Sequence, residues 1–496
     1  MKPRVDDVMW QRLFSRYSHA HTTLQQRIRE TLVAAILDGH LRPDTALPSC
    51  RELARHLGVA RSTVVLAYQH LVDEGFLIAR ERSGYYINRE ILIGRVHHDP
   101  DLHPTLADQP AWSERLRIHP SAQRNIVKPR DWKRHPYPFI YGQLDPELFP
   151  IAEWRECCRQ ALSVAEIRAW ATDSIDRDDS LLLEQIQTRL LPRRGVFATA
   201  EEILITLGAQ HALYLLAQLL IGPGDTLGME EPGYPDARNI FALCTDRLRP
   251  IPVDDDGLVV DERLSGCAYV YVTPSHQSPT TVTMPLARRE ALLARAIRDD
   301  FVLIEDDYES EINFVGEPCP ALKSLDTANR VIYVGSLSKT LAPGLRLGFM
   351  VGPSDLIREA RALRRLMLRH PPANNERAVA LFLAMGYHDA LLRHLGAAYK
   401  VRWEAMGAAL NRHLPDSARM PSFGGTAYWV RGPAALDARV LQAAAYERGI
   451  IIEAGDINFM ASDPPRNFFR LGFSSIPTER IEPGIRLLAE LIYRLA

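Results

Sequence analysis

The sequence predicts an α/β protein of two or three domains, with a small helical domain at its N-terminus. The chain has 496 residues, of which 46% are hydrophobic and 24% are charged, so it is globular and too long for a single hydrophobic core. From residue 140 onward, short apolar runs alternate with amphipathic stretches, which is the pattern of an α/β domain. Residues 47–71 instead predict two short helices separated by a glycine.

The composition argues against several kinds of protein. With a formal net charge of −2 the chain is not basic overall, so contact with nucleic acid requires a local patch of positive charge. The six cysteines show no C-x-x-C spacing, which argues for reduced thiols and against a zinc site or a redox pair. There is no apolar window of about 18 residues, and the N-terminus lacks the apolar segment of a signal peptide. We therefore expect a cytoplasmic protein with no metal and no membrane partner.

The N-terminal domain is predicted to contain three helices and a hairpin. Apolar residues recur at helical spacing over 24–37. Ser49 is suited to cap the next helix and Gly58 to form a turn, and a further helix begins near Arg61. The alternating residues of 75–87 predict a two-stranded hairpin. Together these elements predict a winged helix-turn-helix, whose second helix would lie in the major groove of DNA.

Side chains of this domain that suit DNA are guanidinium groups, which match guanine, and hydroxyls, which match phosphate. The predicted DNA-binding residues are Arg51, Arg61, Ser62, Thr63, Tyr68 and Gly84. The alternative is a helical interaction module with a solvated polar face. The motifs L-P-S-x-R-E-L-A, G-V-x-R-S-T-V, A-Y-x-x-L and E-G-F resemble the winged helix-turn-helix of GntR-family bacterial repressors. The resemblance implies that residues 20–88 bind double-stranded operator DNA, and the proline-punctuated residues 89–135 predict a linker.

Candidate ligand-binding residues of the large domain follow predicted strands, at the ends where α/β proteins bind ligands. The strands are predicted at 203–206, 269–273, 301–305 and 331–334. After the last of them, Lys339 lies among Ser336, Ser338 and Arg346. A lysine can form a Schiff base, and serine hydroxyls and a guanidinium can bind a phosphate. This stretch therefore suits a phosphorylated aldehyde.

Three further groups suit the same ligand. Residues 208–210 begin a helix whose N–H groups would hold a phosphate. Asp306 could keep a pyridine nitrogen protonated, and Tyr308 could hydrogen-bond a ring oxygen. Tyr234 offers an aromatic face for stacking. Each group alone has an ordinary structural explanation, such as a polar turn, a helix cap or a core aromatic residue.

In their order along the chain, these features resemble fold-type I pyridoxal-phosphate aminotransferases from about residue 141 to the C-terminus. Residues 141–150 and 273–280 are similar to the MocR branch of these proteins. A GntR-like DNA-binding domain joined to an aminotransferase-like domain defines the MocR/GabR-type regulators. The resemblance implies a fold-type I domain over 136–496, with a mixed, mostly parallel sheet, in a domain-swapped, head-to-tail homodimer. It implies that pyridoxal 5'-phosphate is held by Lys339, Asp306, Tyr308, Tyr234, Gly208, Ala209, Gln210, Ser336, Ser338 and Arg346.

The resemblance also assigns roles. Lys339 would be the Schiff-base lysine and the catalytic residue, and Arg470 would bind the carboxylate of an amino acid, the alternative being a surface salt bridge. Two segments depart from the family pattern. Residues 173–178 replace Y-G-D-P-x-G and lack the tyrosine expected to reach the neighbouring subunit's phosphate, and residues 279–281 read P-T-T instead of P-T-G. Both departures argue against efficient turnover.

The resulting hypothesis is a DNA-binding transcription regulator that senses an amino acid or related amine through external aldimine formation at Lys339. One alternative is a catalytic aminotransferase with an accessory N-terminal module. Another is a DNA-binding protein whose cofactor pocket is not used. The sequence leaves open the operator, the sign of regulation and the effector, for which the family admits GABA-like, diamino-acid and taurine-like compounds.

Overall fold

The chain divides into two compact units, residues 1–113 and residues 114–496. The division falls within the predicted linker. The computed structural model describes residues 10, 13–14, 23–41, 46–81, 83–92, 110–309, 311–313, 319–418 and 424–495. Residues 93–109 of the predicted linker therefore lie outside the described residues.

The small unit contains the predicted helix-turn-helix and wing. Its elements are the helices α1 Leu24–Leu37, α2 Cys50–Leu57 and α3 Arg61–Asp73, and the antiparallel strands β1 Leu77–Arg80 and β2 Gly84–Ile87. The Ser49 hydroxyl accepts a hydrogen bond from the Glu52 N–H, and the Glu52 carboxylate accepts one from the Ser49 N–H, so a capping box starts α2. Gly58 ends α2 with a left-handed φ of 63°, which allows the turn into α3.

Tyr68 lies on the buried face of α3. Its side chain is 0% exposed within the core of the small unit, and its hydroxyl donates a hydrogen bond of 2.9 Å to the Pro48 carbonyl oxygen. The prediction that Tyr68 contacts DNA is therefore wrong, because a fully buried side chain cannot reach a groove. The sequence did carry the signal: Val64, Ala67, Tyr68 and Leu71 follow the spacing of an apolar helix face.

The large unit is built on a mixed, mostly parallel sheet, as predicted, and this sheet has eight strands. Its strands in chain order, including those of the smaller sheets, are β3 Tyr137–Pro138, β4 Ile203–Thr206, β5 Leu227–Glu231, β6 Leu248–Asp254, β7 Gly257–Leu258, β8 Tyr269–Val272, β9 Val302–Asp307, β10 Val331–Ser336, β11 Gly348–Val351, β12 Ala427–Arg431, β13 Ile450–Ile451, β14 Glu453–Ala454 and β15 Phe468–Gly472. The order across the main sheet is β4-β11-β10-β9-β8-β5-β6-β7. Because β10, β9, β8, β5 and β6 are parallel neighbours, their carboxyl ends share one edge. Strand β11 is antiparallel to both β10 and β4.

Helices cover both faces of this sheet. The helices that follow α3 are α4 Trp112–Arg115, α5 Ile151–Ala161, α6 Val164–Trp170, α7 Ser180–Gln185, α8 Ala209–Leu220, α9 Pro235–Phe241, α10 Leu286–Asp299, α11 Leu322–Leu325, α12 Ser354–Leu368, α13 Ala373–Ala384, α14 Tyr387–His413, α15 Ala438–Glu447 and α16 Thr478–Leu495. Successive residues of β4 point to opposite faces, as a strand requires. Leu204 joins a core cluster with α8 and α12, whereas Ile203 and Ile205 join a cluster with the C-terminal helices.

Two smaller sheets complete the large unit. Strands β12, β15 and β14 form an antiparallel sheet, and β13 pairs with β3. The register of β14 and β15 places Glu453 directly opposite Arg470. This pairing brings an acidic residue next to the predicted effector-binding arginine.

Among the residues that the structure describes, no helix combines the length and the apolar character needed to span a bilayer. In the same residues, no group of three or more His, Cys, Asp or Glu side chains is arranged to hold a metal ion.

Candidate functional site

Lys339 lies in the turn that follows β10 and lines a cavity of about 250 Å³ at the carboxyl edge of the sheet. Its Nζ lies 4.2 Å from the centre of the Tyr141 ring. The neighbouring Gly142 has a φ of +69°, and a Cβ added there would lie only 2.6 Å from Lys339 Nζ. The close approach of the lysine therefore depends on a glycine at position 142.

The amine of Lys339 is removed from water. This desolvation lowers the pKa of Lys339 from 10.5 to about 8, with the charges of Lys128 and Arg470 acting in the same direction and Glu309 and Glu453 opposing them. A substantial fraction of the amine is therefore neutral near physiological pH. The neutral form is the one that attacks a carbonyl.

Asp306 lies next to the last residue of β9 and has one carboxylate oxygen available to a ligand. Tyr271 donates a hydrogen bond of 2.8 Å to Oδ2, whereas Oδ1 is buried and has no hydrogen-bond partner among the described residues. Burial, reinforced by Asp307, raises the pKa of Asp306 to about 7, against the hydrogen bond from Tyr271 and the charge of Lys339. A buried oxygen without a donor fits the protonated nitrogen of a pyridine ring.

Groups that can donate hydrogen bonds to a phosphate lie around the start of α8. Gly208 caps the helix with a φ of +81°, so the N–H groups of Ala209 and Gln210 begin it. The Ser338 hydroxyl is buried without a hydrogen-bond partner in the described part of the chain. The Arg346 guanidinium approaches the same turn, with Nη2 3.2 Å from the Leu207 carbonyl oxygen that it donates to. Ser336 completes the lining of the cavity here.

The two predicted aromatic residues differ in how directly they fit their roles. Tyr234 lines the cavity, and its hydroxyl donates a hydrogen bond of 3.0 Å to Asp236. Asp236 also accepts a hydrogen bond of 2.6 Å from the side-chain amide of Gln210. Tyr308 also lines the cavity, but its hydroxyl donates 2.8 Å to the His276 carbonyl oxygen. A hydrogen bond from Tyr308 to a ring oxygen would therefore require this hydroxyl to exchange partners.

Arg470 is neither a free guanidinium nor a surface salt bridge. The residue is 4% exposed. Its Nε and Nη2 donate hydrogen bonds of 2.9 and 2.6 Å to Glu453 Oε2, and its Cζ lies 3.9 Å from the centre of the Tyr141 ring. It nevertheless lines the same cavity as Lys339. An acid group that binds Arg470 would share it with Glu453.

Several residues of the cavity escaped the sequence reasoning. They are Lys128, Tyr141, Gly142 and Asp236, together with Glu453, which pairs with the cavity residue Arg470. Tyr141 and Gly142 belong to a segment that suggested the family but indicated no role. Lys128 lies in a stretch without periodicity, so no local pattern marks it.

The structure shows what one residue in each of the two departures from the family pattern does. Asp178 is buried and accepts hydrogen bonds of 2.5 Å from Arg361 and from Arg364, so it anchors the segment to α12. Thr281 adopts a φ of 63°, which strains a β-branched residue and suits glycine. The backbone at residue 281 thus keeps a glycine-like conformation without the glycine.

The remaining predicted DNA-binding residues lie at the surface of the small unit. Arg61, Ser62 and Thr63 form the first turn of α3, where Ala60 provides no side-chain cap, and Arg51 and Gly84 are exposed on α2 and the wing. The backbone N–H groups at the start of α3 therefore donate no hydrogen bond to a capping side chain. Such a terminus suits a phosphate.

Comparison with known proteins matches both units. The family described as "Bacterial regulatory proteins, gntR family" matches residues 24–87, and "Aminotransferase class I and II" matches residues 174–488. The HTH-type transcriptional regulator TauR of Rhodobacter capsulatus is 43% identical over 95% of this chain and 96% of its own. The probable rhizopine catabolism regulatory protein MocR of Rhizobium meliloti is 32% identical over 95% of this chain and 94% of its own.

The large unit also resembles solved aminotransferases. LysN, an α-aminoadipate aminotransferase of Thermus thermophilus complexed with N-(5'-phosphopyridoxyl)-L-leucine, aligns with a TM-score of 0.69 and 28% identity, over 78% of this chain and 99% of that chain. The family match, this complex and the fit of Asp306 and the α8 turn identify the cofactor as pyridoxal 5'-phosphate, as predicted.

Proposed function

The chain belongs to the MocR-type HTH transcriptional regulators and, through its large unit, to the class I and II aminotransferase family, and on that premise we propose that it regulates transcription by sensing a small amine at Lys339. The observation that carries the proposal is the presence in one chain of a GntR-type module and a cofactor cavity around a desolvated lysine. Fold alone does not assign function, so the cavity's own residues must support it.

Each part of the cavity has a task in this proposal. When bound, pyridoxal 5'-phosphate supplies an aldehyde carbon for which Lys339 and an effector amine compete. Asp306 holds the pyridine nitrogen, and the α8 turn with Ser336, Ser338 and Arg346 holds the phosphate. Arg470 binds an acid group of the effector and shares it with Glu453. Lys339 would be released as a free amine when an effector amine takes its place.

The released amine is the signal in this proposal. It lies against Tyr141 and close to Lys128 and Arg470, so a free ammonium there changes the charge balance of the cavity. Coupling to DNA requires two arrangements of the protein with unequal affinity for the effector. We propose that the regulator acts as a homodimer, since helix-turn-helix modules commonly read paired half-sites; sedimentation of the full chain tests this.

The deciding experiment combines the cofactor's absorbance with DNA affinity. The cofactor-loaded protein is titrated with a panel of amines and amino acids, while its affinity for a duplex selected from a random-sequence library is measured in parallel. We expect at least one compound to change both absorbance and DNA affinity at the same concentration. An absorbance change without any change in DNA affinity would contradict the sensing role.

A catalytic aminotransferase is the second candidate, favoured by the amine of Lys339, whose pKa of about 8 suits proton transfer. The strained Thr281 and the absence of a tyrosine in residues 173–178 argue against it. Sustained amino transfer to a keto acid would favour the enzyme, whereas an absorbance change that stops after one equivalent of amine would favour the sensor.

Uptake of pyridoxal 5'-phosphate by the cofactor-free protein should depend on pH through Lys339. Desolvation disfavours the ammonium and lowers its pKa to about 8, so the neutral, attacking fraction grows as the pH rises through about 8. We expect the rate of adduct formation to increase from about pH 6.5 and to level off above about pH 9. Stopped-flow absorbance measures it. A rate that still rises in proportion to hydroxide near about pH 10 would indicate an ordinary, solvated lysine.

Arg61→Ala is expected to weaken binding to the selected duplex roughly tenfold. It should also make the slope of the logarithm of the binding constant against the logarithm of the salt concentration shallower by about one. Arg61 is exposed in the first turn of α3, where it can reach a phosphate or a base. Fluorescence anisotropy over a range of salt concentrations measures both quantities. Arg358→Ala, an exposed site on α12, is the control for overall charge. Equal effects of the two substitutions would count against α3 as the recognition helix.

A further inference from the structure

Residues 123–128, within the predicted linker, lie on the large unit and reach the cofactor cavity; we refer to them as the strap. The side-chain amide of Asn239 donates a hydrogen bond of 2.8 Å to the Arg124 carbonyl oxygen. The side-chain amide of Gln123 donates one of 3.0 Å to the Asn239 carbonyl oxygen. The Arg124 guanidinium also pairs with Asp456. These contacts with two distant segments of the large unit hold the strap in place, so it is part of the site's wall.

Lys128, at the end of the strap, points its amine into the cavity of Lys339. Its Nζ donates a hydrogen bond of 2.5 Å to the Tyr141 carbonyl oxygen. Burial lowers the pKa of Lys128 below the ordinary value of a lysine. A Cβ added to Gly142 would lie 2.6 Å from Lys339 Nζ and 3.3 Å from Lys128 Nζ. The two nitrogens are therefore within about 6 Å of each other, a distance at which buried charges interact strongly.

Three cations surround the ring of Tyr141. Lys339 Nζ lies 4.2 Å, Lys128 Nζ 5.6 Å and Arg470 Cζ 3.9 Å from the ring centre. Glu453 neutralises part of this charge through its pair with Arg470. When Lys339 is bound to the cofactor, Lys128 and Arg470 remain as the cations at this ring. Glu453 is paired with Arg470, whereas no carboxylate of the described residues lies within ion-pair distance of Lys128, so an acid group of a ligand can provide that partner.

We propose that Lys128 and Arg470 together form the acid-group subsite of the effector, and that Lys128 determines its chemical class: a short amine that carries one acid group, carboxylate or sulfonate. This inference rests on the proposed function. A ligand nitrogen at the position of Lys339 Nζ and an acid oxygen about 3 Å from Lys128 Nζ are joined by a short carbon chain. Amines without an acid group leave Lys128 and Arg470 without this partner and bind more weakly.

The test uses the full-length, cofactor-loaded protein and compares amines with and without an acid group. The absorbance of the cofactor is titrated with 3-aminopropionate, 2-aminoethanesulfonate and n-propylamine. For Lys128→Gln we expect the half-saturating concentration of the two acids to rise at least about tenfold, while that of n-propylamine changes less than about twofold. Lys128→Arg, which keeps the charge, should restore most of the discrimination.

A matched control lies a few residues away. Lys133 is exposed and does not line the cavity, so Lys133→Gln should behave as the wild type does. Amine acetylation followed by peptide mass spectrometry gives an independent readout. Saturating 3-aminopropionate should slow labelling of Lys128 several-fold, whereas n-propylamine should not, and labelling of Lys133 should not respond to either.

The outcomes separate this inference from the proposed function. If Lys128→Gln weakens all three amines equally, Lys128 only positions the strap through Tyr141, and the subsite is refuted. If the wild type binds n-propylamine as tightly as the two acids, the subsite is refuted while sensing stands. If no amine changes the absorbance of the wild type, the proposed function fails and the subsite fails with it.

Discussion

Replacement of Lys339 by alanine is expected to eliminate the covalent bond between the protein and pyridoxal 5'-phosphate completely. Lys339 provides the desolvated amine of the cavity, within reach of Asp306 and the α8 turn that hold the other ends of the cofactor. Any response of DNA affinity to amines should disappear with it. Binding to DNA itself should persist, because the small unit has its own core, which includes Ile28, Leu32 and Val64.

Borohydride reduction followed by peptide mass spectrometry measures this effect. The wild type should carry one reduced cofactor at residue 339, and Lys339→Ala should carry none. Lys128→Gln is the informative control, because Lys128 is the second amine of the cavity and should leave the adduct at Lys339 intact. A reducible adduct that persists in Lys339→Ala, or that maps to Lys128 in the wild type, would contradict the assignment.

Asp306→Asn should produce the second large effect, a loss of cofactor affinity of roughly 100-fold or more. The substitution keeps the size of the side chain and an oxygen that can accept the Tyr271 hydrogen bond, but it removes the negative charge opposite the pyridine nitrogen. Removing one partner of a buried ion pair costs about 3–5 kcal/mol. The surrounding burial, which already raises the pKa of Asp306 to about 7, makes the site depend strongly on this partner.

Equilibrium dialysis of the cofactor-free variant against pyridoxal 5'-phosphate gives the affinity, and the absorbance maximum reports the protonation of the ring. Tyr271→Phe is the matched control: it removes the hydroxyl that donates to Asp306 but keeps the carboxylate, so a loss of about tenfold or less is expected. A dissociation constant for Asp306→Asn within about threefold of the wild type would show that the pyridine nitrogen does not bind there.

Local features of the sequence indicated two units and the residues that the structure brings together around one cavity, and the family resemblance assigned those residues to a cofactor. The caps at Ser49 and Gly58 and the helical spacing of residues 24–37 depend on neighbours in the chain. The location of Lys339 and Asp306 in one cavity could be predicted because each comes at the end of an apolar run, and parallel strands share a carboxyl edge. The buried stripe of α3 was equally local, so the error at Tyr68 came from reading the motif without its periodicity.

Tertiary structure alone decided which charges surround the lysine. Glu453 meets Arg470 because β14 and β15 pair in one register, and the residues between those strands carry no signal for that pairing. Lys128 reaches the cavity because the strap docks on Asn239 and Asp456, which are remote in sequence. Electrostatic interactions act through space, so the acid-group subsite appears only after distant segments have been packed together.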